Sequence, residues 1–221
     1  MGKRPTVLVF GEDDNDRKAI ASLISALCPN AMPRCLRTPP VLIKGTRPQT
    51  ARTNTERIAD TVRVFEHKEQ VACVFAHEDA DAIEPHHLPA AERIEAALTR
   101  AGISCQVHAV VPAWETENWW FLFPAEVASL HESWIEPSVS GNPGLIRNGK
   151  EALAAAVRPK RLKGHERQRF PPYKESDSPK IAERVAESGR ARQAKGNSAS
   201  YDRFVDSVDA CCMTGSTKSR T

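Results

Sequence analysis

Carboxylates gather in two short turns, each placed directly after an apolar run. Thr6-Val7-Leu8-Val9-Phe10-Gly11 leads into Glu12-Asp13-Asp14-Asn15-Asp16, and Val71-Ala72-Cys73-Val74-Phe75-Ala76 leads into His77-Glu78-Asp79-Ala80-Asp81. Like charges crowded together are unfavourable unless a proton or a divalent cation offsets them. Oxygen-rich clusters are what hard cations select. Residues i and i+2 of an extended chain point the same way, so Asp79 and Asp81 are expected to converge on one Mg²⁺ or Mn²⁺, with Glu12 arriving from a neighbouring strand. A third stretch, Trp114-Glu115-Thr116-Glu117-Asn118-Trp119-Trp120, sets two glutamates among three of the four tryptophans. Burial of those rings is expected to fix a carboxylate near the same edge.

The elements that must position these groups follow from hydrophobic periodicity. Both apolar runs read as buried strands, since they lack the polar alternation of a half-exposed sheet. Ile20, Leu23, Ile24 and Leu27 fall on one helical face, and Asn15 or Asp16 is expected to cap that helix. A weak outer strand is read at Val41-Leu42-Ile43, a helix over Thr50–Lys68, another over Leu88–Ala101 ending at Gly102, and a strand over Ile103–Val111. Strands alternating with helices predict an α/β fold with a mainly parallel sheet. Further helices are expected over Pro124–Trp134, Lys150–Val157, from Ser178-Pro179 onward and over Tyr201–Val208. Residues 1–135 would form the α/β domain and 136–213 a helical extension, with 214–221 a disordered tail.

Hydrophobic residues make up 40% of the 221, enough for a sizeable core, and the net charge is only +3. The charge is unevenly spread. Arg147–Lys180 carries ten basic residues against four acidic ones, a segment suited to meeting a phosphate backbone. Within it, Arg158–Pro172 reads as a linker or an arm that orders on binding. No apolar run approaches a membrane span and the amino terminus lacks a signal-peptide core, so a cytoplasmic protein is expected. The six cysteines show no CxxC spacing and are expected to be buried thiols. His77 and the pair His86-His87 offer nitrogen ligands to zinc or manganese.

A strand ending in glutamate, then a helix, then a strand ending in Asp-x-Asp resembles the Toprim domain of topoisomerases, primases and OLD-family nucleases. The Glu115-x-Glu117-x-Trp119 pattern and the stretch Tyr173–Ile181 are similar to small bacterial Toprim-like proteins. The resemblance implies Mg²⁺-dependent phosphodiester cleavage or related phosphoryl transfer on DNA or RNA, with Glu12 as ligand or general acid/base and Asp79 and Asp81 holding the metal. Asp16 and Glu117 would contribute to a second metal. Apart from the resemblance, Lys150 and Lys180 are the best-placed candidates in the C-terminal part to neutralise phosphate. Gly11 precedes the glutamate here where such nucleases place a glycine after it, which leaves the first ligand open among Glu12, Asp13 and Asp14. The resemblance also implies a setting in bacterial phage defence, beside an ATPase partner. A homo-oligomer is a separate expectation. Two rivals use the same residues. One is a response-regulator receiver with a phosphorylated aspartate, although a receiver's lysine is replaced by Pro112. The other is a non-catalytic module that binds a partner through Trp114, Trp119 and the basic arm.

Overall fold

β1 (Thr6–Phe10) is buried over its whole length. The computed structural model describes residues 4–37, 47–138 and 141–217. In chain order β1 is followed by α1 (Asp14–Leu27), β2 (Met32–Cys35), α2 (Pro48–Glu66), β3 (Val71–His77), α3 (Leu88–Arg100) and β4 (Gln106–Val110). Then come α4 (Glu117–Trp120), α5 (Pro124–Ala128), α6 (Gly149–Ala156), α7 (Gly164–Arg169), α8 (Ser178–Ser188) and α9 (Ala199–Thr217), with 3₁₀ turns at Pro143–Leu145 and Glu175–Asp177. The sheet order is β2-β1-β3-β4 and every pairing is parallel. The protein is therefore α/β, with a four-stranded parallel sheet flanked by helices.

Period-two alternation divides the core between the two faces of the sheet. Val7, Val9, Cys73 and Phe75 point toward α1, α4, α8 and α9, while Leu8, Phe10, Val74 and Ala76 point toward α2 and α3. Of the helices in 136–213, α6, α8 and α9 thus share one buried cluster with β1 and α1. Trp119 and Trp120 are fully buried there, their indole N–H groups donating to Ser200 Oγ at 3.0 Å and Ser178 Oγ at 2.9 Å. Each large apolar side chain so buried contributes about 1.5–3 kcal/mol. Among the described residues no helix is long and apolar enough to cross a membrane.

Several expectations are corrected. Pairing in the fourth strand begins at Gln106, opposite Cys73, and not at Ile103. The helix expected over Pro124–Trp134 stops at Ala128, after which Ser129 Oγ turns back to the Glu126 carbonyl. Arg158–Pro172 contains the six-residue helix α7. α9 runs to Thr217, into the segment expected to be a tail. The strand read at Val41-Leu42-Ile43 lies outside the described residues. Four cysteines are not free thiols: Cys28 pairs with Cys212 and Cys73 with Cys211, at Cα separations of 6.1 and 6.0 Å. Those lie within the usual disulfide range, whereas Cys35 and Cys105 are not disulfide-bonded.

Candidate metal centre

The strand order reverses between β1 and β3, and in open parallel sheets the crevice beyond that reversal is where ligands bind. Phe10 is in register with Ala76, and His77 with Val110, so the turns after β1, β3 and β4 leave the sheet side by side. Gly11 allows the first turn. A Cβ there would lie 2.9 Å from Arg17 Cγ and 3.4 Å from His77 Cβ, and Arg17 Nη1 already donates to the Gly11 carbonyl at 3.1 Å. Asp13, and not Asn15 or Asp16, caps α1, accepting from the Asn15 and Asp16 backbone N–H groups at 2.6 and 3.0 Å. That leaves Asp16, buried in the first turn, free to face the sheet edge.

His77 is the hinge of the cluster. The ring is completely buried at the end of β3. Its Nε2 lies 3.2 Å from Asp79 Oδ1 and 3.1 Å from Thr116 Oγ1. Its Nδ1 makes no hydrogen bond among the described residues and faces Asp16 Oδ2 at 3.8 Å. Asp16, His77 and Asp79 offer ligand atoms that all lie within 4.8 Å of one another. The β3 and β4 turns are laced together, with Asp81 N donating to Trp114 O at 3.1 Å and Trp114 N to Ala82 O at 2.8 Å. Asp81 and Trp114 take left-handed φ values of 48° and 64°. Asp79 and Asp81 therefore do not converge by strand alternation, because β3 has ended at His77.

The third turn brings in two glutamates. Glu117 opens α4 and accepts from the Tyr173 hydroxyl at 2.9 Å. Glu115 accepts from the Lys150 backbone N–H at 2.9 Å, and Lys150 Nζ meets Glu175 Oε1 at 2.6 Å. Together these groups line a small polar cavity of about 140 Å³, walled by Asp13, Asn15, Asp16, Asp79, Asp81, Glu115, Glu117, Lys150, Glu175 and Ser178.

Charge is strongly perturbed here. Burial, then the neighbouring Asp79, pushes Glu12 up to about 7. Burial pushes Glu117 up to about 8 against the Tyr173 hydrogen bond, and Asp16 up to about 6 against the attraction of His77. Burial alone would discharge His77, but Asp16 and Asp79 outweigh it and raise the imidazole to about 9. The cluster thus holds more carboxylate than it can ionise without a proton or a cation. An unbonded buried Nδ1 and an oxygen-rich wall fit a divalent ion: Asp16, His77 and Asp79 as the closest set, with Asp81, Glu115 and Glu117 within the same cavity.

Of the residues singled out in the sequence, Asp16, Asp79, Asp81 and Glu117 meet at this cavity, as does Lys150. Glu12 stands beside it, its Oε2 3.4 Å from the Asp79 backbone N. Lys180 does not line it, and its ammonium is bound to Asp177 at 2.8 Å. His86 and His87 also lie elsewhere. His87 is buried at the start of α3, and burial lowers its pKa. Thr116 on His77, Tyr173 on Glu117, and Glu175 and Ser178 in the cavity wall were not legible as site residues, since each joins groups distant from it in sequence. Trp119, assigned to partner binding in the non-catalytic reading, is wholly buried. Fold and site define an α/β protein with an acidic centre at the switch point of a parallel sheet. No family model matches the chain, and neither a curated protein nor a solved structure matches it.

Proposed function

We propose that the protein is a divalent-metal-dependent phosphodiester hydrolase acting on nucleic acid, with Mg²⁺ or Mn²⁺ held by Asp16, His77 and Asp79 and supported by Asp81 and Glu117. The observation that carries this reading is the meeting of acids from three strand ends around one polar cavity at the sheet's switch point. Once bound, such an ion lowers the pKa of water and neutralises charge building on a phosphate. The chain's own residues supply the remainder. With its Nδ1 left for the ion, His77 also positions Asp79 through its Nε2. Glu12, raised to about 7, is matched to general acid/base work near neutral pH. Lys150 presents a cation at the cavity wall, tethered by Glu175. The Toprim resemblance supports the same chemistry and, with it, a role in bacterial phage defence beside an ATPase partner.

The test is cleavage of end-labelled single- and double-stranded DNA and RNA with Mg²⁺, Mn²⁺ or EDTA. Cleavage that needs the ion and disappears in Asp79→Asn is expected. Equal cleavage by Asp79→Asn, or no metal-dependent cleavage of any of the four substrates, refutes the proposal.

A further inference from the structure

The wall of the acidic cavity is closed by a detour of the chain. Lys150, at the start of α6, and Glu175 meet across it, so the intervening residues leave the site and return to it. The returning limb is fastened by Trp134 Nε1, which donates to the Pro171 carbonyl at 2.7 Å, and by Tyr173 on Glu117. Between the two limbs, residues 158–172 carry Arg158, Lys160, Arg161, Lys163, Arg167 and Arg169 against Glu166 alone. All six cations are exposed, and none pairs with a carboxylate among the described residues. Glu166 is already engaged, accepting from the Lys163 backbone N–H at 2.8 Å. Helix α7 buries none of its residues.

The detour also shapes a groove of about 780 Å³ against α6. Ala154, Leu162 and Phe170 give it an apolar floor, Arg158, Lys160 and Arg167 give it a basic rim, and the Arg158 guanidinium lies 5.8 Å over the Phe170 ring. Cations flanking a half-buried aromatic at the groove floor suit a strand whose phosphates follow the rim while its bases meet that floor. A duplex keeps its bases stacked inside and offers such a floor nothing. We propose that this groove binds a single-stranded nucleic-acid segment and leads it to the acidic cavity. The inference rests on the phosphodiesterase reading for what happens at that cavity, and on the groove alone for binding.

Binding is measured with the full chain in EDTA, by fluorescence anisotropy of labelled oligo(dT) and of a duplex of equal length, across 50–200 mM salt. The parent is expected to prefer the single strand. The triple variant Arg158→Gln/Lys160→Gln/Arg167→Gln should flatten the log-log salt slope by about 2, from about 0.7 per lost phosphate contact, and weaken binding at least about tenfold at 100 mM salt. Phe170→Ala should weaken it about 5- to 150-fold by loss of base stacking. The triple variant, confined to exposed side chains, should keep the parent's Tm to within a few degrees, and Phe170→Ala, whose ring packs against the core, is compared at a temperature where its melt shows it folded. Unchanged slope and affinity in the triple variant, or preference for the duplex, overturns the proposal. Hydrolysis of bis(4-nitrophenyl) phosphate by the parent with Mn²⁺ reports separately on the metal centre. Its failure would sink the phosphodiesterase reading and leave the anisotropy result intact.

Discussion

Replacing Glu117 by glutamine removes a carboxyl that burial keeps protonated up to about pH 8, while preserving an acceptor for the Tyr173 hydroxyl. In the unfolded chain the same group ionises near 4.5. Its raised pKa in the fold means that the folded state loses stability as pH climbs from 4.5, and the loss is complete above about 8. The gap corresponds to about 5 kcal/mol, of which about 3 kcal/mol develops between pH 6 and pH 9. For a chain of this size that is about 6–12 °C in Tm. His77 adds a loss of the same sign, since its contribution is present below pH 6.5 and disappears as pH rises through about 9. That loss is common to both proteins, so the difference between them isolates Glu117. Thermal melts at pH 6 and pH 9 should therefore show a shallower fall for Glu117→Gln than for the parent. In saturating Mn²⁺ the parent should flatten too, because the cation takes the place of the proton. Parallel melts in the absence of metal would refute the claim that an uncompensated carboxyl is buried at this position.

Three further perturbations bear on the same structure. Mn²⁺ at about 100 times its dissociation constant should stabilise the parent by about 2.7 kcal/mol, and Asp79→Asn should lose that gain in a thermal-shift titration. His77→Ala leaves Asp16 and Asp79 without their buried partner and should cost about 3–5 kcal/mol at pH 7, read by denaturant unfolding. Peptide mapping after alkylation without reductant should find Cys35 and Cys105 modified and Cys28, Cys73, Cys211 and Cys212 protected.

The parts of the fold that were legible are those governed by local periodicity. The continuous apolar runs of β1 and β3 and the helical face of α1 sufficed to place acids at the carboxyl ends of parallel strands. Capping was ambiguous because Asp13, Asp14, Asn15 and Asp16 are all good caps, and only the backbone decides that Asp13 takes the role. Asp81 reaches the cavity, but not by the alternation read for it, which holds only inside a strand, and β3 stops four residues earlier. Lys150 and Lys180 were indistinguishable as letters. Lys150 sits at the cavity wall while Lys180 turns back onto Asp177. Cys73 with Cys211, Cys28 with Cys212 and Tyr173 with Glu117 are joined across 138, 184 and 56 residues, distances over which no spacing rule operates.

Crystals of the protein grown with Mn²⁺, measured at the manganese absorption edge, test the central claim most directly. An anomalous peak within coordination distance of Asp16, His77 and Asp79 is predicted, displaced or lost in Asp79→Asn. Manganese found only on surface carboxylates, with no peak among these three side chains, would contradict the account.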